Sequence, residues 1–79
     1  PEEEKRKMAA SRLQSDKARA ALRQSDLARA LELSREALRV HEQNVEAMLV
    51  MAEAFYKQGK HELTQTVTSS ALAVDPKLL

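Results

Sequence analysis

Shifted against itself by 34 positions, the chain falls into register: Ala18 meets Ala52, Ser25 meets Gly59, Ala30 meets Thr64, Ala37 meets Ala71 and Leu38 meets Leu72. The segments 11–44 and 45–78 carry this period. Periods of roughly 20–50 residues mark arrays of small supersecondary units, each burying its apolar face against the next instead of enclosing a core of its own. The punctuation agrees. Gly59 is the only glycine, and the two prolines, Pro1 and Pro76, interrupt no candidate helix, so the chain reads as all-α without strand signals.

Four helices are predicted, near 2–24, 27–41, 45–58 and 61–74. The first opens on Pro1, which suits a first turn, and Glu2, Glu3 and Glu4 complement the positive end of its dipole. Ser25 and Asp26 supply capping side chains for the second, whose Leu27, Ala30, Leu31, Ser34, Ala37 and Leu38 repeat at helical spacing. Asn44 caps the third, in which Met48, Met51, Ala52 and Phe55 form a core stripe before Gly59 lets the chain turn. Thr64, Thr66, Val67 and Thr68 are poor helix formers, so the fourth helix must be held by tertiary contacts. Asp75 followed by Pro76 reads as the cap and first position of a fifth helix.

A chain of 79 residues sits near the lower limit of what one core can stabilise and leaves no room for a large internal pocket. The net charge of +1 does not favour nucleic acid as a ligand, although residues 1–40 carry ten bases against seven acids and residues 41–79 three against five. All seven arginines lie in the first half. With no cysteine there are neither disulfides nor thiolate metal sites, and no apolar run approaches the roughly 18 residues of a membrane span. The start at Pro1 without methionine leads us to expect a piece of a longer chain, and the wealth of Ala, Leu and Arg suggests a GC-rich bacterial source.

A 34-residue helix-turn-helix period resembles the tetratricopeptide repeat, whose pattern runs W-x2-L-G-x2-Y, then Ala, a bulky residue and Pro. In the second copy Met48 stands for the Trp, Met51 for the Leu, Ala52 for the small Gly and Phe55 for the Tyr. Gly59, Ala71 and Pro76 match the turn glycine, the close-packing alanine and the closing proline, while Thr64 and Thr68 depart from it. In the first copy Gln14, Lys17 and Ala21 replace the large first-helix residues and Glu42 the proline. The resemblance implies a right-handed α-solenoid of antiparallel helix hairpins with four helices. Residues 1–10 would be a helical N-terminal extension, 11–44 a degenerate repeat and 45–78 a second repeat. At least three repeats are the usual requirement for independent stability, so two are expected to lean on further contacts.

Neither His41-Glu42 nor His61-Glu62 has metal-site geometry, since adjacent helical residues do not face one point. No nucleophile elbow, phosphate loop or other catalytic spacing is present, so no catalytic, metal or cofactor residue is predicted and the chain is not expected to be an enzyme. In proteins of this resemblance the first helix of each hairpin lines an inner groove. Carried over, that face comprises Arg12, Ser15, Asp16, Arg19, Leu22 and Arg23 in the first copy, and Glu46, Leu49, Val50, Glu53, Tyr56 and Lys57 in the second. Leu49, Val50 and Tyr56 are expected as exposed apolar anchors, with Arg19 and Arg23 orienting the carboxylates of an acidic, amphipathic ligand. The implied function is a non-catalytic protein–protein interaction scaffold that holds a peptide or helix of a partner, within a bacterial multiprotein assembly. Neither nucleic acid nor membrane insertion is expected. The alternative is a structural oligomerisation unit pairing with copies of itself through exposed helical faces, that is, a homo-oligomer.

Overall fold

The computed structural model describes residues 1–78. Its helices are α1 (Glu2–Arg23), α2 (Leu27–Val40), α3 (Val45–Lys57) and α4 (His61–Val74), each within one residue of its predicted ends. Connections of three or four residues send each helix back along its predecessor, so neighbours are antiparallel. α2 packs between α1 and α3, α4 packs on α3, and α1 lies beside α3. The result is two hairpins stacked side by side, with the first helix of each hairpin next to the other.

One apolar cluster joins the hairpins: Ala18, Ala21 and Leu22 from α1, Ala30, Leu31 and Leu33 from α2, and Val50, Met51, Ala54 and Phe55 from α3. Met48 is buried as well, so the stripe Met48, Met51, Phe55 is core. α4 is the outlier. Ala71 is its only buried residue, and Leu63 and Val74 are exposed. Within it, Thr64 donates to the Lys60 carbonyl (2.9 Å), Thr66 to Glu62 (3.0 Å) and Ser70 to Thr66 (3.2 Å), local bonds that satisfy the hydroxyls of residues with weak helix propensity.

The two hairpin turns have the same hydrogen-bond plan. After α1 the Ser25 N–H donates to the Leu22 carbonyl (2.9 Å) and the Asp26 N–H to Ala21 (3.0 Å); after α3 Gly59 donates to Tyr56 (2.9 Å) and Lys60 to Phe55 (2.9 Å). This pair of bonds needs a left-handed residue at the turn, with φ of 76° at Gly59 and 61° at Ser25. Ser25 therefore holds a backbone conformation that costs a residue with a Cβ roughly 1 kcal/mol. The next helix begins at once. Asp26 accepts from the Arg29 N–H (3.2 Å) and Asn44 from the Ala47 N–H (3.0 Å), as N-caps do.

Asn44 also binds the hairpins to each other. Its side-chain NH2 donates to the Ser11 hydroxyl (2.8 Å) and to the Ser15 hydroxyl (3.4 Å), Ser11 donates to the Ala37 carbonyl (2.6 Å) and Ser15 to the Arg12 carbonyl (3.0 Å). α1, α2 and the start of α3 are thus tied at one point through two fully buried serines. Ser34, also fully buried, is the one buried side-chain oxygen without a partner among the described residues.

The expected fifth helix would lie almost wholly outside the described residues, which end at Leu78. Asp75 does act as a cap, accepting from the Lys77 N–H (3.1 Å), but residues 75–78 form a turn closed by the Leu78 N–H on the Asp75 carbonyl (3.3 Å). A single turn anchors no further bonds by itself. The accessible surface, 5453 Å², exceeds the about 4800 Å² expected of a compact monomer of this mass, as suits an elongated stack measuring 40 × 27 × 17 Å.

Two sets of substitutions test this account. No atom would meet a Cβ at Gly59, so Gly59→Val is resisted by backbone conformation alone and is expected to lower stability by about 1 kcal/mol or more. Ser25→Gly is expected to raise the melting temperature; a fall would mean the turn after α1 is not strained. In urea titrations Asn44→Ala is expected to cost about 2 kcal/mol, cap and bridge together, and Asn44→Asp less, because aspartate keeps the cap but cannot donate to the serines. Equal stability of Asn44→Asp and the native chain would show that the bridge contributes nothing.

Candidate protein-interaction face

α1 spans 22 residues and α3 spans 13, so the first turns of α1 overhang the rest of the fold. Residues 2–10 all belong to α1 and all are exposed. Beneath the overhang, between α1 and the loop that leads into α3, runs an open groove of about 960 Å³. Lys5, Met8, Ala9, Arg12 and Asp16 line its α1 side at spacings of three and four, and His41, Gln43, Val45 and Glu46 line the other. The Ser11–Ser15–Asn44 bonds set its floor, because they fix the distance between α1 and the start of α3.

The residues expected on the inner face fall into three groups. Arg12, Asp16, Arg23, Glu53 and Lys57 are exposed. Arg19 and Glu46 form an ion pair between α1 and α3, with side chains 36% and 47% exposed. Glu53 and Lys57 pair along α3 at 3.4 Å. Arg19 therefore already has a carboxylate, and a surface pair of this kind is worth roughly 0–1 kcal/mol. Among the described residues Arg12 and Arg23 have no such partner.

Val50 corrects an expectation. It is 1% exposed and sits in the core cluster, covered by the first hairpin, so it offers no surface to a ligand. Ser15 and Leu22 are buried too, for the reciprocal reason that α3 lies over α1. Leu49 is half-buried, and Tyr56, 63% exposed, stands edge-on to His61 with ring centres 6.0 Å apart.

The groove under the overhang was missed in the sequence. Its signal was present, since Lys5, Met8, Ala9, Arg12 and Asp16 share one face of a single helix. Residues 1–10 lie outside the 34-residue period, however, and Met8 has no counterpart to compare. The exposed Met8 and Leu13 are the apolar surface of this region. Among the described residues no three acidic or imidazole groups converge as a metal site, and no helix is long and apolar enough to cross a membrane.

Comparison with curated proteins finds none that matches. The sequence profile of one family, described as Tetratricopeptide repeat, matches residues 21–77, from the last turn of α1 through α2, α3 and α4. It leaves out the part of α1 where Gln14 and Lys17 replace large residues of the pattern. Repeats of this family mediate protein–protein interactions and are typically non-catalytic. With two helical hairpins repeating at 34 residues and a family profile that covers most of its length, the chain belongs to the tetratricopeptide repeat family.

Proposed function

We propose that the chain is a non-catalytic scaffold module that holds an acidic, partly apolar peptide or helix of a partner protein on the inner face made by α1 and α3. The observation that carries this reading is the open groove beneath the α1 overhang, where the exposed Met8 adjoins Lys5 and Arg12. Apolar anchors supply most of the affinity in such contacts, and rim charges supply orientation and rate. Met8 is an adaptable anchor, because its unbranched thioether side chain repacks around different partners. Arg12 and, at the far end of α1, Arg23 would receive the ligand's carboxylates. Glu46, Arg19, Glu53 and Lys57 form the polar wall between them, and their mutual pairing makes that stretch nearly neutral. The net positive first half of the chain supports an acidic ligand over a basic one.

Fluorescence anisotropy with short peptides alternating leucine with aspartate or glutamate, against their lysine counterparts, tests this. The acidic series is expected to bind more tightly and to weaken as salt rises. Met8→Ala is expected to cost more affinity than Arg12→Ala at moderate salt. Binding that ignores both substitutions but is lost at the outer residues Arg29 or Gln65 would place the interaction on the convex side and overturn the proposal.

A further inference from the structure

The groove under the overhang has a charge order as well as a sign. Lys5, Met8, Arg12 and Asp16 lie on its α1 wall at spacings of three, four and four, all of them exposed. Among the described residues none of the three charges has an ion-pair partner. From the start of the helix the stripe runs basic, apolar, basic, acidic. Along the axis Lys5 and Arg12 are about 10 Å apart, and Arg12 and Asp16 about 6 Å. In an extended ligand about 10 Å is three residues, which turns its second acid to the opposite face. In a helix, separations of seven and four keep all three charges on one face. The occupant is therefore a helix with acids at i and i+7, a base at i+11 and an apolar residue at i+3.

α3 of this same chain has that pattern. Glu46, Leu49, Glu53 and Lys57 repeat the spacing of three, four and four with every charge reversed, the three charged residues exposed and Leu49 half-buried. We propose that the groove receives α3 of a second copy of the chain, running parallel to α1. Parallel helices set residues of equal height against each other. Lys5 then meets Glu46 of the second copy, Met8 meets its Leu49, Arg12 its Glu53 and Asp16 its Lys57. The receiving chain's own Glu46, at the inner end of the groove with Asp16, adds to the attraction for that lysine. Both acids of α3 have partners in their own chain, Arg19 and Lys57, but exposed pairs exchange at little cost. The inference names the partner of the site proposed above and rests on that reading.

The register also fixes the kind of assembly. Within one chain Glu46 sits beside Arg19, fourteen positions along α1 from Lys5 and so about 21 Å further along the axis. Seating Glu46 of a second copy opposite Lys5 slides that copy by the same distance. Because α1 and α3 run parallel within each chain, a two-fold axis relating such copies would have to lie along the helices, and rotation about it shifts nothing along them. The contact is therefore head-to-tail. Each copy offers α3 to one neighbour and its groove to another, and the assembly grows instead of closing at two.

Sedimentation velocity of the 79-residue chain at low salt tests this. The mass is expected to rise past that of a dimer between roughly 10 and 500 µM, and to fall again as salt screens the charge pairs. Arg12→Glu sets an acid against Glu53, and Glu53→Arg sets a base against Arg12, so each variant alone is expected to associate at least about fivefold more weakly. Both positions are exposed, and circular dichroism checks that each variant stays helical. An equimolar mixture of the two variants, and a single chain carrying both substitutions, are each expected to regain the native association. A monomer at about 1 mM, growth that stops at two, or variants that fail to rescue each other would overturn the proposal. If short leucine–glutamate peptides bind the groove of a chain that stays monomeric, the groove takes an acidic partner that is not a second copy. If those peptides do not bind either, the reading of the groove falls with it.

Discussion

The helix contacts in this fold are built on alanine and serine. Ala18, Ala30, Ala37, Ala47 and Ala54 are completely buried, as are Ser11, Ser15 and Ser34, and Val50 is the largest side chain hidden to the same degree. Small residues at crossing points let helix axes come near the short end of the usual 8–10 Å separation. Everything else follows from that proximity. Ser11 can reach the Ala37 carbonyl only because α1 and α2 are close. Ser34, whose hydroxyl has no partner among the described residues, is small enough to be buried at such a contact.

The backbone period has outlasted the side-chain period. Ser25 and Gly59 make the same turn with the same two hydrogen bonds although only one of them is free of steric cost. Asp26 caps α2 with a carboxylate, whereas Lys60 precedes α4 without a side-chain cap. A repeat can change its residues in this way because the stacking geometry is held elsewhere, at the alanines and at the Asn44 bridge. The first hairpin has spent its freedom on serines and polar residues, and the second has kept the large apolar stripe.

That division also separates two kinds of surface. The inner face is polar, with the pairs Arg19–Glu46 and Glu53–Lys57 and, at its two ends, Arg12 and Arg23, which have no ion-pair partner among the described residues. Its α3 also carries apolar surface, with Tyr56 exposed and Leu49 half-buried.

Local chemistry made most of the elements legible. Helix limits, the caps Asp26 and Asn44, the positive φ at Gly59 and the core stripe Met48, Met51 and Phe55 all follow from spacing and from short-range hydrogen bonding. The inner-face residues were harder to read. Periodicity identifies the buried arc of a helix, but in a stacked hairpin that arc is widened by a neighbour lying outside the hairpin. Val50 is hidden by α1, Arg19 is engaged by Glu46, and Ser11 and Ser15 become a buried bridge to Asn44, all across gaps of 27–33 residues that no local pattern encodes. Thus the sequence alone determined an all-α repeat with its turns and caps, because those depend on residues three to five apart. Only the packing of one hairpin on the next decided which polar residues would be buried and which charges would be paired.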